Sequence, residues 1–194
     1  MLYGLEIDAQ ALAAGALQHV LLLQEKASRW QEALQAFVQA GMEAGATVVC
    51  VGGAPALEEL CRELAARGLD LERRQQAGGL RLLPAGPWTP AAAEGGPASL
   101  RALLAGMERG QGDLRRAAPV VVLDVASLLG PEADLAAAAA LGEEVEQMLH
   151  RGELRGCLCL YDRRRLPGEV LKAAVLAHPV LVHDARLFTN RKHV

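Results

Sequence analysis

Short apolar runs alternate with helix-period stretches along this chain, and that alternation limits the fold more than any other feature. The runs are His19–Leu23 (HVLLL), Ala46–Val51 (ATVVCV), Leu80–Leu83 (LRLL), Pro119–Val125 (PVVVLDV), Cys157–Tyr161 (CLCLY) and Val180–Val182. Several are apolar at successive positions, so both faces of the strand need cover, as in a parallel sheet lying between helices. Between the first two, Trp30, Ala33, Leu34, Phe37, Val38 and Gly41 recur at helical spacing and lay one apolar stripe along a helix. Leu57, Leu60, Cys61 and Leu64 repeat the pattern, with Gly68 placed to stop that helix. Ala98–Arg109, Asp134–His150 and Pro167–Ala177 are further helices, the last with Pro167 in its first turn. Strand then helix, repeated, predicts an α/β domain with three layers: a mostly parallel central sheet, right-handed crossovers and helices on both faces.

With 194 residues the expectation is one domain spanning 1–194. Apolar residues make up 52% but aromatics only 3%, so Leu, Val and Ala must build the core. Twenty Lys and Arg stand against 23 Asp and Glu with no basic stripe, which argues against direct nucleic-acid binding. The one dense basic run, Arg163-Arg164-Arg165, reads as a solvated turn. Ala91–Pro97 reads as a loop and Ala136–Ala140 as alanine within a helix. The chain opens without the order of residues found in a secretory signal, and no apolar stretch approaches the roughly 18 residues of a membrane helix. A cytoplasmic protein with reduced thiols, away from the membrane, is the expectation.

In an open parallel sheet, ligands bind beyond the carboxyl ends of the strands. After the first run comes Gln24-Glu25-Lys26-Ala27-Ser28-Arg29-Trp30, which lacks the glycines a phosphate-wrapping loop needs. G-x-x-x-x-G-K-[ST] and G-x-G-x-x-G are both absent. Gly52-Gly53-Ala54-Pro55 reads as a strand-to-helix turn, its glycines giving backbone freedom and Pro55 starting the helix. Asp124 stands where RecA-like nucleotide hydrolases keep an acid that helps hold Mg²⁺. Without phosphates above it, Asp124 is expected to cap or bond polar groups at the sheet edge, with Ser127 in the following turn. Cys157 and Cys159 share a strand face, which suits neither a mutual disulfide nor, without C-x-x-C or H-x-x-H spacing, a zinc site. They are expected as buried thiols, with no metal. The five histidines are scattered and read as structural.

The last third is more specific. Cys159-x-Tyr161-Asp162-Arg163-Arg164 leads into Leu166-Pro167-Gly168-Glu169-Val170-Leu171, then Leu176-Ala177-His178-Pro179-Val180-Leu181-Val182 and finally Asn190. This order resembles the MEDS domain, a sensory domain of methanogen and methylotroph regulators. That family has a Cys-x-Tyr-Asp strand end, a Pro-containing helix start, a His-Pro pair and a late Asn. His19-Val20 matches its first strand, Phe37–Gly45 its F-x-x-x-G-L-x-x-G-E helix end, and Gln75–Leu80 its Gly-x-Leu segment, so the resemblance covers about residues 17–190. Leu21 stands where the family has Cys, Gln24 replaces a frequent aromatic, and Leu123-Asp124-Val125-Ala126-Ser127 replaces an acidic Gly-Glu-Met-x-Trp segment.

The resemblance implies a RecA/KaiC-like sheet without working Walker motifs, used for sensing, with no catalysis and no cofactor. It points to His19, Gln24, Asp124, Cys159, Tyr161, Asp162, Arg163 and His178 as ligand-binding residues. Tyr161 would form a stacking or hydrogen-bonding wall, and Asp162 would accept. The expected function is a non-catalytic module that binds a small molecule or a protein partner of sensor-kinase or anti-sigma type, with a homodimer as one route of output. Two other readings stand beside it: a degenerate nucleotide-hydrolysing protein working around Lys26, Ser28 and Asp124, and a structural oligomerisation adaptor.

Overall fold

The apolar runs fold into one seven-stranded sheet in the computed structural model, which describes residues 18–25, 30–86, 99–110, 118–130, 134–183 and 186–190. The strands are β1 (His19–Gln24), β2 (Val48–Gly52), β3 (Leu80–Pro84), β4 (Val120–Asp124), β5 (Gly156–Asp162), β6 (Val180–His183) and β7 (Arg186–Thr189). Their order is β3-β2-β4-β5-β1-β6-β7. Every neighbouring pair is parallel except β6 and β7, which run antiparallel. β2, β4 and β5 are buried at every residue, as continuous apolar runs in a doubly covered sheet must be.

Helices α1 (Trp30–Glu43), α2 (Ala54–Ala66), α3 (Leu71–Gln76), α4 (Leu100–Gly110), α5 (Val125–Leu129), α6 (Leu135–His150) and α7 (Gly168–Ala177) supply the outer layers. The α1 stripe of Trp30, Leu34, Phe37 and Val38 joins Leu57, Leu60 and Leu64 of α2 over one face of the sheet, on Val20, Leu22, Val48, Cys50, Val122 and Leu158. The other face carries Leu21, Val49, Val121, Leu123, Cys157 and Cys159 beneath α4, α5, α6 and α7. Gly41 lets α1 lie close, since a Cβ there would stand 3.0 Å from Val48 Cγ2.

Local chemistry sets the element ends. The Asp134 carboxylate accepts from the Ala137 amide at 2.7 Å and starts α6, and Ser99 Oγ accepts from the Ala102 amide at 3.1 Å at the head of α4. Gly68 sits at φ +85° just past α2, as its position in the sequence predicts. Pro167 is the N-cap of α7, one residue outside the helix rather than in its first turn. Val125 likewise belongs to α5 and not to the strand, because the Asp124 side chain caps a helix that starts at once.

This topology shapes the carboxyl edge. The helices that follow β1 and β2 lie on one face, and those that follow β4 and β5 lie on the other. A cleft lies between these two sets of helices at the strand ends. Among the described residues, no helix is long and apolar enough to cross a membrane.

Candidate functional site

Successive residues of a strand face opposite sides of a sheet, and that alternation divides the expected ligand residues into two groups. Gln24, Asp124 and Asp162 reach the carboxyl-edge cleft. His19, Cys159, Tyr161 and His178 meet on the other face, beneath α6 and α7. Tyr161 and Asp162 are neighbours in the chain, so they cannot wall one ligand together. Arg163 joins neither group and donates to Glu25 Oε1 at 2.7 Å.

The cleft encloses about 170 Å³. Val51, Val122 and Leu160 supply apolar lining, and Gln24, Glu25, Trp30 and Gln31 line it beside the end of β1. Lys26 and Ser28 lie outside the described residues. Two aspartates complete the edge. Asp124 is buried, accepts from the Ser127 amide at 3.4 Å and the Ser127 hydroxyl, and lies 3.6 Å from Arg165 Nη1. Asp162 accepts from the Arg164 amide at 2.9 Å and from its guanidinium at 3.1 and 2.9 Å. Burial opposes the charge on Asp162, but the Arg164 hydrogen bonds outweigh it and hold the carboxyl below its usual range. Glu25 is likewise held low, by hydrogen bonds from Arg163 and His183.

The basic run expected as a solvated turn therefore has a definite task. Arg163, Arg164 and Arg165 each neutralise a carboxylate at the strand ends: Glu25 just after β1, Asp162 of β5 and Asp124 of β4. The arginines are exposed while the acids are largely buried, and the pairs hold three acids in one arrangement. The glycines at the end of β2 also act otherwise than expected. Gly53 has an ordinary extended backbone (φ −63°, ψ 149°), and a Cβ on Gly52 would stand 2.9 Å from Asp124 Cβ. Space, not backbone freedom, is what Gly52 provides.

The second group is buried. The rings of His19 and His178 lie 4.1 Å apart, and Tyr161 meets His178 edge-on at 5.6 Å. His19 Nε2 is 3.7 Å from Cys159 Sγ, which is itself 3.7 Å from Cys157 Sγ, and His19 Nδ1 bonds Glu146 of α6. His178 Nδ1 bonds the Ala174 carbonyl at 2.8 Å, while its Nε2 is buried without a hydrogen-bond partner. Burial opposes charge on His19, but its bonds to Cys159 and Glu146 lift its pKa to about 9. The Cys157 hydrogen bond, followed by the two imidazoles, holds the Cys159 thiol well below its usual range, while burial and the Cys159 charge keep Cys157 protonated. Asn190 anchors this corner, its Nδ2 donating to the carbonyls of Val175, Leu176 and His178 at the end of α7.

The sequence pattern brought His19 and His178 forward only through the family resemblance. Their meeting depends on β1 lying between β5 and β6, which spacing along the chain does not reveal. The ligand atoms of His19, Cys159 and His178 all lie within 4.8 Å of one another, a grouping that motif spacing along the chain does not reveal.

The sheet, its covering helices and the carboxyl-edge cleft define a RecA-like α/β domain. A solved structure with the same fold, the flagellar accessory protein FlaH from Methanocaldococcus jannaschii, is 13% identical at a TM-score of 0.57 over 91% of this chain and 76% of that one. The chain belongs to the MEDS family: the model described as "MEthanogen/methylotroph, DcmR Sensory domain" matches residues 18–179. No curated protein matches it.

Proposed function

We propose that this chain is a non-catalytic sensory module that takes a small polar molecule in its carboxyl-edge cleft and signals to a regulatory protein partner. The arginine run carries this reading. Where a nucleotide-hydrolysing relative would keep phosphate and Mg²⁺, the strand-end acids Glu25, Asp162 and Asp124 are already paired with Arg163, Arg164 and Arg165. The lining holds five carboxylates (Glu25, Glu59, Glu63, Asp124 and Asp162) against the guanidinium groups of Arg164 and Arg165, a field that repels polyphosphate. A neutral or cationic molecule suits it better. At about 170 Å³ the cleft is smaller than the ~300–1,000 Å³ typical of drug-sized ligands.

Gln24 would supply donor and acceptor, and the Val51, Val122 and Leu160 wall an apolar contact. The route outward is the β5–α7 connection. It carries Arg164 and Arg165 at the cleft, and it leads into α7 on the opposite face. The free thiols of Cys50, Cys61, Cys157 and Cys159 suit a reducing, cytoplasmic setting.

Thermal denaturation of the parent chain and of Gln24→Ala against a panel of small neutral and cationic metabolites tests the site. A compound that stabilises the parent and loses most of its effect on the variant supports the assignment. Equal stabilisation of both places the binding elsewhere.

A further inference from the structure

We propose that His19, Cys159 and His178 form a buried transition-metal site suited to Zn²⁺, with one thiolate and two imidazole ligands. Nothing in the cleft reading requires it, because the three residues lie on the other side of the sheet.

The geometry of the donors points to a metal. His19 is 3% exposed, Cys159 3% and His178 2%, and their ligand atoms lie within 4.8 Å of one another. Zinc with Zn–S of about 2.3 Å and Zn–N of about 2.0 Å at tetrahedral angles sets sulfur and nitrogen about 3.5 Å apart. Cys159 Sγ and His19 Nε2 stand at 3.7 Å.

The outer contacts orient both rings for coordination. Metal-bound histidines give their second nitrogen to a carboxylate or a backbone carbonyl, which fixes the tautomer and aims the free lone pair at the ion. Both arrangements occur here: His19 Nδ1 bonds the Glu146 carboxylate, and His178 Nδ1 bonds the Ala174 carbonyl. With Nδ1 of His178 donating to a carbonyl, its Nε2 is a lone-pair acceptor, buried and without a hydrogen-bond partner. A buried polar atom left unpaired is costly, and an ion between His178, His19 and Cys159 would satisfy it. Asn190 holds the end of α7 that presents His178.

Charge selects the kind of ion. One thiolate on a divalent ion leaves a single positive charge, and the Glu146 carboxylate behind His19 offsets it. Sulfur and imidazole together disfavour Mg²⁺ and Ca²⁺, which take oxygen. Three protein ligands leave a fourth zinc position for water or another small donor.

The test uses the full chain, stripped of metal and then titrated with Co²⁺ and Zn²⁺ alone. One equivalent of Co²⁺ should give a thiolate-to-metal charge-transfer band and tetrahedral ligand-field bands, and Zn²⁺ should abolish both. Cys159→Ser should remove the charge-transfer band. His178→Gln should weaken Zn²⁺ binding at least about 100-fold, and Glu146→Gln, which removes only an outer contact, about 10–100-fold. Cys61→Ser, at the partly exposed thiol of α2, should change nothing. The parent spectrum alone decides if a variant fails to fold. No charge-transfer band at stoichiometric Co²⁺, a band that survives Cys159→Ser, or one lost with Cys61→Ser overturns the proposal.

Discussion

Gly52→Ala tests how the carboxyl edge is assembled. Gly52 does not adopt a positive φ, so alanine meets no left-handed backbone penalty there. The obstacle is space, because the new methyl would stand 2.9 Å from Asp124 Cβ. That atom sits at the root of its side chain on β4, beside β2, so the clash is relieved only if the two strand ends separate. Overpacking of this kind costs about 1–3 kcal/mol. The lower backbone entropy of the unfolded alanine variant returns about 0.4–1 kcal/mol. At the middle of these ranges a net loss of about 1.3 kcal/mol remains, which lowers Tm by about 3–5 °C in a chain of this size. Urea denaturation should show a lower midpoint at an unchanged slope. A variant as stable as the parent, or more so, would refute the close approach of Gly52 to Asp124.

Gly142→Ala should do the opposite: the residue lies within α6, where an added methyl would meet nothing within 4 Å, so stability should rise by about 0.5–1 kcal/mol in the same denaturation assay. Asp134→Ala removes the cap on the Ala137 amide and should cost about 1 kcal/mol. Asp162 is held below its ordinary carboxyl value of 3.8 in the folded chain, so its contribution is present above that pH and is lost as the pH falls through the lower folded value. Asp162→Asn should therefore melt below the parent at neutral pH, and acid titration of the melting temperature should bring the two together.

Much of the architecture is legible in the sequence because doubly buried strands need continuous apolar runs. PVVVLDV and CLCLY could hardly sit at an edge, and they became β4 and β5 in the sheet interior. Three elements are not legible in this way. The apolar VASLL of α5 continues the run of β4, and only the Asp124 cap separates them. Helix α3, LERRQQ, has no apolar stripe and buries no residue. Strand β7, RLFT, is short and partly exposed at the edge of the sheet. The site residues are legible as types but not as partners. Period-two alternation already sets Tyr161 and Asp162 on opposite faces, whereas the meeting of His19 with His178 requires the strand order. The pairing of Arg163, Arg164 and Arg165 with three separate acids depends on strand ends brought together by β1, β4 and β5.

Calorimetric titration of the chain with Mg-ATP at millimolar concentration tests most directly the claim that this RecA-like edge has left phosphate chemistry for sensing. With Asp124 held by Ser127 and Arg165, and five carboxylates lining the cleft, no saturable heat and no phosphate release are expected. Saturable binding that depends on Mg²⁺ and is abolished by Lys26→Ala or Asp124→Asn would contradict it.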